Sequence, residues 1–170
     1  MRRTLLIPAL VAALAVAAAT AAVARADAPK FETNLYFNCQ GDNNIGVPVG
    51  SDLVLRYTWA ARTRGLVQDF LDAQTPLSAV VDGAAVANPE RYWTGPYYNA
   101  TAGYWAATWR YDTGIISSFD HPYTIDIESF ATHRLLDGFV FADDQTHRPL
   151  FAQPGDPLVS TGGPCSVTSF

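Results

Sequence analysis

The chain has 170 residues, of which 16 are acidic and 11 basic, so its formal charge is −5. An acidic chain with Lys30 as its single lysine has no positive field that would attract phosphate groups. The composition therefore argues against nucleic acid as a partner and against binding to an anionic membrane surface. The length suits one domain that buries a core of its own.

The N-terminal segment 1–26 has the pattern of an export signal. Arg2 and Arg3 form a basic start, residues 4–23 are an uncharged apolar run, and residues 24–26 form a small-x-small cleavage site. An uncleaved membrane anchor and a twin-arginine signal are the alternatives. Cleavage leaves 8 of the 11 basic residues and all 16 acidic ones, a formal charge of −8. We expect a secreted protein, periplasmic in a host with an outer membrane, without membrane attachment after cleavage.

The two cysteines, Cys39 and Cys165, stand near the two ends of the expected mature chain, 126 positions apart. An exported protein meets an oxidising compartment, so a disulfide between them is predicted, with two buried free thiols as the alternative. A disulfide closing a loop of this length stabilises a fold by about 4 to 5 kcal/mol on the chain-entropy description. The spacing matches no zinc site.

The first predicted elements are two strands joined by a loop. Residues 33–39 alternate partly between apolar and polar side chains, and residues 41–50 are rich in Gly, Asn and Pro. Residues 52–61 alternate more cleanly, with one apolar face formed by Leu53, Leu55, Tyr57 and Trp59. This pattern predicts a half-buried antiparallel strand.

The period of the apolar residues then changes to that of a helix. Apolar side chains recur at helical spacing from Leu66 to Leu71, Thr63 precedes them as a cap, and Pro76 ends the pattern. These signals predict a helix of about three turns that closes one end of the fold. Residues 77–86 predict a hairpin around Asp82-Gly83, since this pair readily adopts positive φ angles.

The following residues alternate between predicted loops and strands: loops at 88–103 and 142–164, strands at Tyr104–Tyr111, 123–128 and around 135–141. The face formed by Trp105, Ala107, Trp109 and Tyr111 is expected in the core. Residues 165–170 are expected beside the first strand if the disulfide forms. About seven or eight short strands with one helix predict an all-β fold, a single β-sandwich domain over residues 27–170.

Three short stretches resemble the bacterial immunoglobulin-like domains of secreted and surface proteins. They are Val80-Val81-Asp82-Gly83, Trp109-Arg110-Tyr111-Asp112-Thr113-Gly114 and His121-Pro122-Tyr123-Thr124-Ile125. The resemblance spans residues 77–130 and implies an immunoglobulin-like antiparallel β-sandwich, here with one short helix inserted between early strands. It also implies a non-catalytic role in spacing, adhesion or ligand binding.

Eight of the twenty residues from Tyr92 to Tyr111 are aromatic. The candidate binding surface consists of the aromatic side chains around the predicted loop and one arginine: Tyr92, Trp93, Tyr97, Tyr98, Tyr104 and Arg110. These side chains either pack under the loop as a satellite cluster or form an exposed platform for a sugar ring or a partner protein. The second interpretation rests on the dominance of Tyr, Trp and Arg in binding hot spots.

The sequence contains no strong catalytic motif. Asp112-Thr113-Gly114 matches the tripeptide of aspartic proteases but occurs once, so it predicts a turn unless a homodimer supplies the second aspartate. His121, His133 and His147 lack the spacing of metal ligands. Neither feature favours an enzyme over a binding protein.

The acidic residues give no stronger indication of a site. Asp126 and Glu128 share one strand face, where the alternation predicts exposure to solvent rather than paired catalytic carboxylates. Two loop groups carry oxygen ligands of the kind calcium prefers, but not in the order of an EF-hand: Asp42, Asn43 and Asn44, and Asp143 and Asp144. We therefore expect no metal and no cofactor.

These observations predict a secreted, non-catalytic binding or adhesion module whose ligand, a glycan or a protein, contacts the aromatic loop. One alternative is a small secreted hydrolase whose acidic residues come together only in the fold, which requires a pocket with at least two carboxylates. The other is a structural spacer without a ligand.

Overall fold

In the computed structural model, the described residues are 28–39, 44–116, 123–139 and 151–169. The strands among them are β1 (Lys30–Asn34), β2 (Asn44–Val47), β3 (Asp52–Ala61), β4 (Ser78–Val81), β5 (Ala84–Ala85), β6 (Tyr97–Asn99), β7 (Tyr104–Ile115), β8 (Tyr123–Phe130), β9 (Leu135–Leu136), β10 (Phe151–Ala152), β11 (Pro157–Ser160) and β12 (Cys165–Ser169). The helices are α1 (Leu35–Asn38), α2 (Arg64–Asp72) and a 3-10 helix at Pro89–Tyr92. The all-β class is confirmed.

The strands form two large sheets and one small pair. The first sheet has the order β1-β3-β7-β6, and the second has the order β2-β12-β8-β4-β5, with β11 paired to β8. The small pair joins β9 and β10. Both large sheets are mixed rather than purely antiparallel, because β1 lies parallel to β3 and β2 lies parallel to β12. β1 belongs to the first sheet and β2 to the second, and α1 stands between them in the order of the chain.

Both large sheets contribute to one hydrophobic core. Leu53 and Leu55 of β3 are buried in the same cluster as Ile125 and Ile127 of β8. A buried hydrogen bond also joins the two sheets, since the Tyr57 hydroxyl donates to the Leu158 carbonyl at 2.8 Å. Burial, with a smaller contribution from Tyr36, raises the pKa of the Tyr57 phenol well above its usual range, so Tyr57 stays a donor.

The predicted disulfide is confirmed, and the alternative of two free thiols is wrong. Cys39 at the end of α1 bonds to Cys165 at the start of β12, which closes a loop of 126 residues. The C-terminal strand therefore lies near the first elements of the chain. Its hydrogen-bonded neighbours are β2 and β8, however, rather than the predicted first strand.

The strand predicted at residues 33–39 is wrong in its second half. β1 ends at Asn34, and Leu35–Asn38 forms the short helix α1. The Asn34 side chain accepts a hydrogen bond from the Tyr36 N–H at 3.1 Å, and such a cap favours a helical turn over a continued strand. The turn directs Leu35 and Cys39 into the core, where both are buried.

Three other local predictions are confirmed. β3 has the predicted bounds, and its residues Leu53, Leu55 and Tyr57 are buried. Thr63 caps α2, since its hydroxyl accepts a hydrogen bond from the Leu66 N–H at 3.3 Å. The hairpin turn between β4 and β5 has positive φ angles at its two central residues, 50° at Asp82 and 75° at Gly83.

Two predicted loops contain strands. The loop predicted at 88–103 includes the 3-10 helix and β6, and β6 pairs antiparallel with β7. The loop predicted at 142–164 includes β10 and β11, while its residues 142–150 lie outside the described part. Such strands of two to four residues are too short to give a periodic signal in the sequence.

The strand predicted around 135–141 is observed only as β9, and its residues 140–141 lie outside the described part. The predicted export signal, residues 1–26, also lies outside it. Among the described helices, none has the length and apolar character that crossing a membrane requires.

Candidate functional site

The six residues of the candidate binding surface divide between the two faces of the first sheet. Tyr92 and Trp93 are half-buried and pack toward the core. The Tyr92 ring meets Tyr111 edge-on at 5.0 Å between ring centroids, and the Trp93 ring meets Phe70 at 5.4 Å. Both side chains therefore hold the 3-10 helix and the segment after it against the core.

Tyr98 and Tyr97 are neighbours in β6 and point to opposite faces. Tyr98 lies opposite Trp105 of β7, and their ring centroids are 5.6 Å apart. This face of β7 also carries the packing against α2, since Trp105 contacts the cluster of Ala61, Val67 and Ala107. Tyr98 nevertheless keeps 55% of its surface exposed.

The other three residues, Tyr97, Tyr104 and Arg110, lie on the outer face of the sheet. The Tyr97 hydroxyl and the Thr108 hydroxyl are 3.0 Å apart, which holds the Tyr97 ring over the strand. The rings of Tyr104 and Phe139 meet edge to face, with 6.3 Å between their centroids. Arg110 is exposed and forms an ion pair with Glu32 of β1 at 2.6 Å.

Two of these outer residues, Tyr97 and Tyr104, line a cleft of about 400 Å³. Four further aromatic residues line it: Tyr36 of α1, Tyr57 and Trp59 of β3, and Phe139. The polar side chains along the cleft are Asn34, Arg56, Thr58, Asn99 and Asp137. A concave cleft that combines aromatic walls with directed polar groups is a common form of ligand site in proteins. We call it the outer cleft.

A hydroxyl network fixes the floor of the outer cleft. The Thr58 and Thr108 hydroxyls, on paired positions of β3 and β7, are 3.0 Å apart. Because the Tyr97 hydroxyl also contacts Thr108, three side chains from three strands are joined on one face. The Tyr97 ring therefore has little freedom to move before a ligand binds.

The segment 137–139 forms one end of the outer cleft. Asp137 is buried, its carboxylate accepts the Phe139 N–H at 2.9 Å, and its carbonyl accepts the Arg62 N–H at 2.8 Å. Gly138 between them has φ of +75°, and a Cβ there would lie 2.8 Å from Leu66 Cδ1 and 3.2 Å from Arg62 Cβ. At this φ a residue with a side chain is strained, and its Cβ would also require the Leu66 side chain to shift.

Replacing Gly138 with alanine is therefore expected to lower the free energy of unfolding by about 2 to 3 kcal/mol, from backbone strain and contact with Leu66 together. Gly83 is a matched control because it has the same φ of +75°, while a Cβ added there would have no atom within 4 Å. Gly83→Ala should cost only the strain, about 1 kcal/mol. Urea unfolding followed by circular dichroism gives both values, and equal losses would contradict the close approach at Gly138.

A second cleft, of about 550 Å³, lies between α2 and the segment 90–95. Its walls include Leu71, Gln74, Glu90 and Trp93. The Glu90 carboxylate accepts a hydrogen bond from the Leu77 N–H at 3.1 Å, so this carboxylate has a structural role. Among the described residues, each of the two clefts is lined by one carboxylate, so neither has the carboxylate pair that the hydrolase alternative requires.

The aspartic-protease tripeptide lies within β7 rather than in the predicted turn. Asp112 accepts the Gly114 N–H at 2.9 Å, and the Thr113 hydroxyl donates to the Leu53 carbonyl at 3.1 Å. The pairing of β3 with β7 shifts register beside these residues, and Gly114 has φ of +86°. The three residues thus shape a β-bulge.

The other candidate groups serve local structure or lie outside the described residues. His133 Nε2 and an Asp69 carboxylate oxygen of α2 form an exposed contact at 2.9 Å, and Asp126 and Glu128 are exposed on β8 as predicted. No cluster of three potential metal ligands occurs in the described ranges. The remaining candidates fall outside those ranges: His121, His147, Asp42, Asn43, Asp143 and Asp144.

The chain matches no protein-family model, no curated protein sequence and no solved structure. What the fold and the site define is thus an all-β, disulfide-linked protein with two mixed sheets around one core and an aromatic cleft on one face. Sequence reasoning missed the cleft residues from distant elements, among them Tyr36, Thr58 and Asp137. The alternation of β3 does place Thr58 on the outer face, but nothing local brings Asp137 beside it.

Proposed function

We propose that the protein is a secreted, non-catalytic binding or adhesion module with an immunoglobulin-like architecture, and that the outer cleft is its recognition site. Two sheets around one core, joined by a disulfide, support this architecture. The disulfide also supports an oxidising compartment outside the cytoplasm, where such bonds persist. The ligand is a glycan or a protein.

The observation that carries the proposal is the set of aromatic rings around directed polar groups in the outer cleft. Tyr97 and Tyr104 offer apolar ring faces with a polar hydroxyl at the tip. Rigid aromatic side chains lose little conformational entropy on binding, which makes them efficient anchors. The hydroxyl contact between Tyr97 and Thr108 adds to this rigidity.

The test compares two adjacent tyrosines that point to opposite faces. Tyr97→Ala should weaken retention on glycan and protein arrays by about 10-fold or more, since it removes a central anchor of the cleft. Tyr98→Ala is the matched control, because Tyr98 is the more exposed of the two and lies away from the cleft. It should leave retention unchanged.

Thermal unfolding of both variants separates loss of binding from loss of fold. Tyr97→Phe, which keeps the ring, should retain most of the binding. Equal effects of the Tyr97 and Tyr98 substitutions would contradict the assignment of the outer cleft. Absence of retention of the unchanged protein on any array would favour the spacer alternative.

A further inference from the structure

The first sheet has an edge that the described part of the chain leaves open. β1 pairs with β3 only from Asp52 to Arg56, because the chain turns into α1 after Asn34. On its other side β3 pairs with β7 along its whole length, as far as Ala61. Residues 57–61 therefore have a neighbouring strand on one side only, as far as the described ranges extend.

The hydrogen bonds of β7 show which backbone groups of β3 face this edge. The Thr108 N–H and C=O both bond to Thr94, on the side away from β3. Thr58, which is paired with Thr108, therefore directs its own N–H and C=O away from β7. By the same alternation, the N–H and C=O of Ala60 face the open edge. The Arg62 N–H, two residues further along, also points away from β7, because it bonds to the Asp137 carbonyl.

This edge forms part of the outer cleft. Thr58 and Ala60 both line it, and both are partly exposed. The Tyr36 ring meets the ring of the core residue Tyr57 at 6.0 Å between centroids, while Tyr97 and Tyr104 lie on the outer face of the cleft. Unpaired N–H and C=O groups along a strand are a template for pairing with another extended chain.

We propose that the outer cleft binds a polypeptide in extended conformation, which adds to β3 as a strand along residues 57–61. This inference rests on the proposed function and specifies its ligand as a peptide rather than a glycan. The open stretch accommodates about five residues over roughly 16 Å at the rise of a strand. In this binding mode main-chain hydrogen bonds give affinity, and alternate side chains enter pockets that give specificity.

The surroundings of the edge specify the kind of peptide. Alternate side chains of an added strand face the two sides of the sheet. On the outer face lie Tyr97 and Tyr104 of the cleft, and on the core side lies Tyr36, whose ring packs against Tyr57. Aromatic walls on both sides favour a peptide with apolar or aromatic side chains.

The recessed position of the edge favours a single peptide over the sheet edge of a second copy. Tyr36 stands at one end of the open stretch, and the segment 137–139 closes the other. A second folded sheet would have to approach past these groups, whereas a single peptide brings no further strands with it.

The first experiment measures amide hydrogen exchange by NMR in the unchanged protein. The Thr58 and Ala60 amides should exchange fast, while the Trp59 amide, which faces β7, should be protected. A peptide selected from a phage-displayed library of random linear peptides should then slow exchange at Thr58 and Ala60. Protection of these two amides without peptide would overturn the inference, because the edge would then be occupied already.

The second experiment removes one edge N–H. Ala60→Pro deletes a donor that faces the cleft and none that bonds to β7, so the protein should fold while binding of the selected peptide falls about 10-fold or more. Ala61→Pro is the matched control, because its N–H faces β7, and it should destabilise the fold strongly. Equal destabilisation by the two substitutions would overturn the edge assignment.

The outcomes also separate this inference from the proposed function. The protein could be retained on glycan arrays through Tyr97 while no library peptide binds it more strongly than it binds the Ala60→Pro variant. This result would overturn the peptide inference and leave the proposed binding module intact. A concentration-dependent dimer that protects Thr58 and Ala60 without peptide would overturn it as well. If the unchanged protein binds neither a glycan nor a peptide, both the proposed function and the peptide inference are overturned.

Discussion

Replacing both cysteines, Cys39→Ala with Cys165→Ala, is expected to lower the free energy of unfolding by about 4 to 5 kcal/mol. The bond closes a loop of 126 residues, so its removal releases most of the described chain in the unfolded state. The free energy of unfolding of an ordinary domain is about 5 to 15 kcal/mol, so this loss is a large fraction of it.

Urea unfolding followed by circular dichroism measures the effect. The slope of the free energy against urea should rise in the double variant, because an unfolded chain without the cross-link exposes more surface. The unchanged protein under reducing conditions is the control, since it loses the bond without any change in side-chain volume. A loss below about 1 kcal/mol in both experiments would contradict the stabilising role of the bond.

The disulfide also bears on the outer cleft. Cys39 ends α1, and Tyr36 of this short helix forms one wall of the cleft. A helix of four residues has no stability of its own and depends on what holds its ends. Loss of the disulfide should therefore weaken ligand binding even under conditions in which the rest of the fold persists.

The elements that the sequence predicts correctly are those with a local signal. β3 shows alternation over ten residues, α2 has a cap at Thr63 and a helical period, and the turn at Asp82-Gly83 needs positive φ angles. Each of these signals depends only on residues that are close together in the sequence, so it can be recognised without knowing how the rest of the chain folds. β3 and the hairpin turn support the all-β class, and the cap and period of α2 give the position of the helix.

The pairing of β1 with β3 and of β2 with β12 has no such signal. Parallel pairing joins residues far apart in sequence, and neither strand differs in pattern from an antiparallel one. The immunoglobulin-like resemblance implies antiparallel neighbours and so gives no indication of these edges. The end of β1 at Asn34, which opens the edge of β3, likewise lies in a run of residues with an ambiguous pattern.

The sequence predicts the candidate site in part. Tyr97 and Tyr104 line the outer cleft, and Arg110 lies on the same face in an ion pair with Glu32. The sequence pattern does not separate Tyr97 from Tyr98, because both fall in a predicted loop. Only pairing of β6 with β7 sets the alternation that sends these neighbours to opposite faces.

Trp109→Ala is expected to cost about 3 to 5 kcal/mol, the range for truncating a fully buried aromatic side chain. Trp109 is 0% exposed in the core, and its indole N–H donates to the Pro89 carbonyl at 2.8 Å. Its ring also contacts those of Tyr92 and Tyr111 at 6.2 and 5.8 Å between centroids. One side chain therefore ties β7 to the 3-10 helix and to the aromatic packing around it.

Two further substitutions separate the contributions of Trp109. Trp109→Phe keeps an aromatic ring but leaves the Pro89 carbonyl without its donor, at a cost of about 1 to 3 kcal/mol. Trp105→Ala is the control on the same face of β7, where the side chain is only half-buried, and it should cost less than Trp109→Ala. Urea unfolding followed by circular dichroism ranks the three variants. Equal losses at Trp105 and Trp109 would contradict the expected effect of the complete burial of Trp109 and of its hydrogen bond to Pro89.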